Sequence, residues 1–291
     1  MRVFITGASG FVGSAVVPEL QRGGHQLLGL ARSDAAAAKL EALGVEVHPG
    51  DLTDLDSLRR GAAGCDGVVH CAFAHEDFAD RANNCRKDRE AIDAMGHALA
   101  AGKALVITAG SARFTPAVLT EEELPTMATG GDRAGAEPVA FSFGDRGVRA
   151  ASVRLPPSVH GDGDHAFLPM LIDIARKTGV SGYIGDGANR WPAVHRLDAA
   201  RLFRIALERA PAGTRLHAIG DEGIPTRDIA AAIGRKLGVP TRSVAKDHFG
   251  WLGGFFALDT PASAALTHER FGWKPVERGL LDDLEHGSYF A

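Results

Sequence analysis

Tyrosine is nearly missing from this chain of 291 residues: there are two, Tyr183 and Tyr289, and none stands before Tyr183. A mechanism that needs a tyrosine acid or base in the first half is therefore excluded. Cysteine is scarce as well. Cys65, Cys71 and Cys85 are odd in number and lack metal-ligand spacing, which leaves reduced thiols rather than a disulfide framework or a zinc site. Basic charge is not in excess, with 32 Lys and Arg against 36 Asp and Glu and a net charge of −4. The electrostatic footprint of a nucleic-acid binder is absent. No apolar run reaches the roughly 20 residues that span a bilayer. Met1-Arg2-Val3-Phe4 leads straight into a strand and not through a signal peptide. The expectation is a cytoplasmic protein with no membrane partner, no nucleic acid and no metal. No low-complexity tract or internal repeat stands out.

What the chain does have is glycine in a telling place. Arg2-Val3-Phe4-Ile5-Thr6 reads as a strand, and Gly7, Gly10 and Gly13 follow at spacings of three. An amphipathic stretch with Val12, Ala15, Val16 and Leu20 comes next and ends at Gly23-Gly24. A strand, a glycine turn and a helix start form a cradle for a pyrophosphate, held by backbone N–H groups and the helix dipole. Gly7, Ser9, Gly10, Phe11, Val12 and Gly13 are therefore candidate cofactor residues.

Gln26–Ala31 is the second strand, and it ends at Arg32 and Ser33. The adenosine ribose of a dinucleotide lies at this strand end. An acidic residue there selects NAD, whereas a guanidinium suits a 2′-phosphate. Arg32 with Ser33 therefore favours NADP, with NAD as the other choice, and Asp34 reads as the cap of the next helix. Val45–His48 is the third strand. Asp51 and Leu52 after it are placed to meet the adenine, with Thr53 or Asp54 capping the helix that follows. Gly67–Ala72 is the fourth strand, with Cys71 and Ala72 small enough to let backbone approach a ligand. A helix over 86–100 and a fifth strand over 104–108 follow. Alternation of strands and helices at these lengths predicts an α/β fold with a parallel sheet covered on both faces.

Taken together, these segments resemble the short-chain dehydrogenase/reductase superfamily, in its extended and atypical branches. The matching residues are Thr6–Gly13, Asp51-Leu52, His70-Cys71-Ala72, Val153–Gly161, Val194–Asp198 and Phe271–Pro275. The resemblance implies a Rossmann-type doubly wound sheet over residues 1–160. A smaller, mainly substrate-binding C-terminal lobe would span 161–291, with about 192–220 returning to the core. It also implies that Pro156, Ser158 and Val159 run past the nicotinamide, where Pro157 has no N–H to offer.

The chain departs from the family at its chemistry. The family's Tyr and Lys stand four apart on the helix after the fifth strand, and no tyrosine lies between Thr108 and Arg154. Arg133 aligns with the Tyr or the Lys, depending on register. It holds its proton, so it serves as an electrophilic clamp or as a surface ion pair with Glu137. Thr108 and Ser111 lie where the family's serine sits, Ser111 by a slip of one residue. Tyr183 is a substitute donor in a loop that borders the family's substrate pocket. Asp88, near the family's helix asparagine, reads as a solvated charge. His75, His160, His165 and His195 are further acid–base candidates, with His195 in a structural role. Pro138 starts a helix that Gly144 weakens. Trp191 and Gly250–Phe256 either wall an apolar pocket or form a core turn.

Three functions follow in order. The first is an NADP-dependent oxidoreductase of carbonyl reductase or alcohol dehydrogenase type, with a non-standard proton donor and a small, fairly apolar substrate. The second is a non-catalytic NADP-binding sensor of NmrA-like type. The third is a nucleotide-sugar epimerase or dehydratase. The chain is expected as a monomer or homodimer.

Overall fold

The structure, a computed structural model, describes residues 1–74, 80–111, 117–124 and 131–291. The chain divides into two compact units. One holds Met1–Gly110, Leu124–Arg154 and Ala199–Leu216; the other holds Ser111–Glu123, Leu155–Asp198 and His217–Ala291.

The first unit is built on seven strands: β1 (Arg2–Thr6), β2 (Gln26–Ala31), β3 (Glu46–Pro49), β4 (Gly67–His70), β5 (Ala104–Gly110), β6 (Arg149–Leu155) and β10 (Thr214–His217). Their order across the sheet is β10-β6-β5-β4-β1-β2-β3. β1 pairs in parallel with both β2 and β4, so the strand order reverses direction there. The crevice for a ligand in such a sheet opens at the carboxyl ends of these two strands. Val3, Phe4 and Ile5 are fully buried, as are Val68 and Val69. Burial of both faces explains why these strands read as continuous apolar runs instead of alternating ones. Helices α1 (Gly13–Arg22), α2 (Asp34–Ala42), α3 (Leu55–Ala63) and α4 (Arg81–Ala98) complete the alternation. Phe4, Leu58, Ile92, Met95, Leu105 and Phe143 form one core cluster with their neighbours.

Several element ends differ from the expectation. Ser33, not Asp34, caps α2, because its hydroxyl accepts from Ala36 N–H at 3.3 Å. Asp54 caps α3 through Ser57 N–H at 2.9 Å, while Thr53 turns to Asp51. The helix with Pro138 runs over Ala136–Phe141, which places the proline in the first turn, where a missing N–H costs nothing. A 3-10 turn, Gly131–Gly135, precedes it and carries Arg133.

Glu137 explains how this short helix is held. It is 3% exposed and accepts from Ser152 Oγ, Arg154 Nε and Arg154 Nη2, each at 2.7 Å, and from Arg215 Nε at 2.9 Å. Helix, β6 and β10 are thus pinned at one carboxylate. Burial works against its charge, but the hydrogen bonds and charges of Arg154, Ser152 and Arg215 outweigh it and hold the carboxyl below its ordinary range.

In the second unit, β7 (Ser158–His160), β9 (Arg190–His195) and β11 (Asp221–Pro225) form a three-stranded sheet ordered β11-β9-β7. β8 (Ser181–Ile184) pairs in parallel with β12 (Thr241–Val244). Two of the family-like segments lock onto each other here. The Asp198 carboxylate accepts from the N–H groups of Val276 at 2.8 Å and Glu277 at 3.1 Å, and its carbonyl accepts from Trp273 Nε1 at 3.0 Å. Thr226, the first residue of the helix Thr226–Leu237, donates from Oγ1 to Asn189 Oδ1 at 2.7 Å.

The Glu137 junction predicts a measurable instability. Glu137→Gln leaves Arg154 buried without its counter-charge and should lower unfolding free energy at pH 7 by about 3–5 kcal/mol. A carboxyl held below its ordinary value of 4.5 stabilises the fold above that value and loses its contribution as pH falls. The gap between the native chain and the variant should therefore narrow in urea unfolding below about pH 4.5; a constant gap would contradict the assignment.

Candidate active site

The glycine turn is packed to the limit of backbone contact. Gly7 has φ +70°, and a Cβ there would lie 2.6 Å from Ala72 N. A Cβ on Gly13 would lie 2.0 Å from Gly7 O. Gly10 N–H donates to Gly7 O at 2.9 Å and closes the turn. No side chain caps the N-terminus of α1. A close backbone turn and an uncapped helix start fit a pyrophosphate. Ser9, Phe11 and Val12 lie on this turn.

Around the crevice, Arg32 is exposed at the end of β2. The Asp51 carboxylate accepts from Thr53 Oγ1 and Thr53 N, both at 2.6 Å. These bonds hold its carboxyl below the ordinary range, and the Arg32 charge adds to the effect. Ser33 offers only what its capping bond leaves. Leu52 packs against the core. Cys71 N–H donates to Thr6 O at 3.1 Å. Burial pushes the Cys71 thiol up to about 12, so it is a neutral wall and not a nucleophile.

Beneath the turn lies a buried polar chain. Thr6 Oγ1 and His70 Nδ1 are 2.7 Å apart, and His70 Nε2 is 3.1 Å from Asp88 Oδ1. Asp88 Oδ2 is 3.5 Å from Arg133 Nη1. Burial works to raise the Asp88 pKa, but the Arg133 charge and the His70 hydrogen bond outweigh it and the carboxyl is held below its ordinary range. An ionised Asp88 takes the Nε2–H tautomer of His70, which leaves Nδ1 to accept from Thr6 O–H.

Arg133 is placed by three neighbours. Besides Asp88, it lies over the Phe73 ring at 3.8 Å, and its Nη2 donates to Thr108 O at 3.4 Å. Thr108 in turn donates from Oγ1 to His70 O at 2.8 Å. Arg133 Nη1 is buried and makes no hydrogen bond. This corrects two expectations. Arg133 pairs with Asp88, since Glu137 is committed to Arg154 and Arg215. Asp88 is 2% exposed and is no solvated helix charge. Sequence reasoning missed the pair because α4 and the Gly131–Gly135 turn meet only in the fold. The sole hint was an acidic residue within an otherwise burying helical stripe.

The remaining candidates lie in the second unit. Ser111 is fully buried; its N–H donates to Leu155 O at 2.9 Å and its Oγ has no hydrogen-bond partner. Pro156 is buried, and Ser158 and Val159 pair with Ala193 and Val194 in the sheet. Tyr183 lies in strand β8, not in a loop, half-buried and opposite Ser243. The other tyrosine is a poor acid: Tyr289 Oη donates a hydrogen bond to Asp164 Oδ2 at 2.8 Å, and burial with the nearby Asp164 charge raises its pKa strongly. His160 is paired with Asp283 at 2.8 Å. His195 accepts from Leu197 N–H at 3.3 Å. His75 lies outside the described residues. Among the described residues no cluster of His, Cys, Asp or Glu could hold a metal, and no helix is long and apolar enough to cross a membrane.

A turn built for a dinucleotide, on a sheet of this order, defines an extended short-chain dehydrogenase/reductase. Within that class the chain belongs to the NAD dependent epimerase/dehydratase family, whose model matches residues 3–219. It is 46% identical over 302 residues to an uncharacterized protein of Schizosaccharomyces pombe, covering 100% of both chains. It is 30% identical over 226 residues to the 4-hydroxy-2-methyl-3-oxo-4-farnesyl-3,4-dihydroquinoline-1-oxide ketoreductase of Stigmatella aurantiaca, covering 73% of this chain and 66% of that one. The dTDP-glucose 4,6-dehydratase of Streptomyces venezuelae, solved with NAD bound, shares the fold. Its TM-score is 0.78 at 23% identity, covering 99% of this chain and 95% of that one. The family is NAD(P)-dependent, and the dehydratase holds NAD in its structure.

The turn carries its own test. Gly13→Ala drives a methyl into Gly7 O, an overpacking of about 1–3 kcal/mol that must displace the turn. Calorimetry should show dinucleotide affinity, measured with both NAD(H) and NADP(H), reduced about tenfold or more; unchanged affinity would mean the pyrophosphate binds elsewhere.

Proposed function

We propose that this protein is an NADP-dependent carbonyl reductase that acts on a small, fairly apolar ketone or aldehyde without a tyrosine acid. The observation that carries this reading is Arg133. Its guanidinium is fixed at the end of β5 by Asp88, Phe73 and Thr108 O, and the Arg133 side chain remains 18% exposed. A cation held there suits a carbonyl oxygen that gains negative charge. The likeness to a ketoreductase supports the same direction.

A bound NADPH supplies the hydride that adds to the carbonyl carbon. Arg133 keeps its own proton and stabilises the oxygen as charge develops. The proton that completes the alcohol comes from water or from a hydroxyl. The Thr108 hydroxyl donates its hydrogen bond to His70 O, whereas Ser111 Oγ makes none. Tyr183 is the other hydroxyl we keep for this role. Cofactor contacts are assigned to Gly7, Ser9, Gly10, Phe11, Val12, Gly13, Asp51, Leu52, Cys71, Ala72, Pro156, Ser158 and Val159, with Arg32 and Ser33 at the 2′-phosphate. The exposed Arg32 is the reason for choosing NADP over NAD.

Two measurements test this reading. Arg32→Ala should weaken NADPH about tenfold or more and change NADH by no more than about twofold. Equal losses would remove the NADP assignment. In an NADPH-oxidation assay over ketones and aldehydes, Arg133→Met should lower kcat about 10²–10³-fold with cofactor affinity kept. Tight NADPH binding with no turnover of any carbonyl would leave the sensor reading in its place.

A further inference from the structure

The second unit holds a cavity of about 190 Å³, lined by none of the residues assigned to the cofactor. Its walls are the loop Gly161–Asp164, one side of the helix Phe167–Thr178 and the segment Ser288-Tyr289. A cavity of about 150 Å³ takes a benzene ring, so this one has room for a ring-sized body and one polar group. Pro169 and Ile172 on the helix give it an apolar side. Asp173, Arg176 and Ser288 at its rim are exposed, which leaves it open to solvent.

The loop wall is fixed from several sides. Gly161 has φ +126° and Gly163 φ +83°, a backbone that side-chain-bearing residues rarely adopt. Two hydroxyls fasten the loop to the C-terminal segment. Ser288 Oγ donates to Asp162 Oδ1 at 2.7 Å. Tyr289 Oη accepts from Gly161 N–H at 3.1 Å and donates to Asp164 Oδ2 at 2.8 Å. Arg196 Nη1 adds a bond to Asp162 O at 2.5 Å. The cavity is therefore shaped before a ligand arrives, and binding has little left to order.

Its charge is not balanced. At the rim, Asp173 Oδ1 and Arg176 Nη1 answer each other at 3.7 Å and cancel. Asp164 has no such partner. It is half-buried, and its hydrogen bonds come from neutral donors: Tyr289 Oη, and Ala166 N–H to Oδ1 at 2.7 Å. Burial raises the Asp164 pKa, and the charges of His165 and His160 do not offset it. Each carboxylate oxygen keeps a lone pair for a further donor. An anion is served poorly by the same loop. The N–H of Gly161 goes to Tyr289, that of Asp164 to Gly161 O at 3.1 Å, and that of Ala166 to Asp164.

We infer that this cavity is a binding site for a small organic cation, a primary amine on a compact apolar body, whose ammonium donates to Asp164 while the body lies against Pro169 and Ile172. A neutral molecule of the same shape fills the space but leaves the carboxylate without a counter-charge, and an anion is repelled by it. The site is independent of carbonyl reduction and stands or falls apart from it.

The experiment is equilibrium binding of benzylamine, benzyl alcohol and benzoate to the full chain at pH 7 by calorimetry. The three probes share a ring and differ in charge. Benzylamine should bind about tenfold or more tighter than either control, the amount a charge-assisted hydrogen bond supplies. Asp164→Asn keeps the shape and an oxygen to accept from Ala166 N–H, and should bring benzylamine down to the level of benzyl alcohol. Arg176→Gln, at an exposed position that folding does not need, leaves Asp173 uncancelled and should tighten benzylamine about twofold to fivefold. Saturating NADPH should change benzylamine affinity by no more than about twofold. Equal binding of the three probes, a preference that survives Asp164→Asn, or no gain from Arg176→Gln would overturn the site. Displacement of benzylamine by NADPH would place the amine in the cofactor crevice and overturn it as well.

Discussion

The approach of the first turn to the end of β4 is the constraint on which the crevice depends. Thr6 O accepts from Cys71 N–H, Thr6 Oγ1 reaches His70, and Gly7 lies against the backbone of Ala72 with no room for a methyl. Two parallel strands are drawn together at their carboxyl ends, and α1 is launched from the gap. Any side chain at Gly7 or Gly13 would separate these parts. The geometry that lets backbone N–H groups face an anion is the same geometry that closes the sheet here.

Two buried carboxylates organise what surrounds that turn. Glu137 gathers Ser152, Arg154 and Arg215, and so fixes the short helix that follows Arg133. Asp88 gathers His70 and Arg133. Each would be costly alone, and each is held ionised by cations and donors on other elements. The consequence for Arg133 is specific. A long side chain is confined by a carboxylate, a carbonyl and an aromatic face, which lowers the entropy of holding it at one position. Arg133 is a cation that keeps its proton, and no tyrosine stands before Tyr183.

Much of the fold was readable because its signals are local. Apolar runs, glycine spacing and alternation of strands with helices gave the order of elements in the first unit. The family-like segments at Asp198 and Trp273 were visible as motifs, and the fold shows that one binds the other. The site was less legible. Arg133 could be singled out as the odd residue where a tyrosine was expected, but its partner could not. The choice between Glu137 and Asp88 depends on which of two carboxylates is already occupied by Arg154, a residue on β6. Caps were misjudged for a similar reason: Ser33 and Asp34 are equally good caps by type, and backbone direction alone selects Ser33.

The sequence by itself determined the cofactor class, the α/β alternation and the loss of the usual tyrosine, because each depends on residues close together in the chain or on their absence. Only the tertiary structure decided which charges pair and which hydroxyls are committed. Those outcomes are set by distances between strands and helices far apart in sequence, and by the free energy of burying a charge or an N–H with or without a partner.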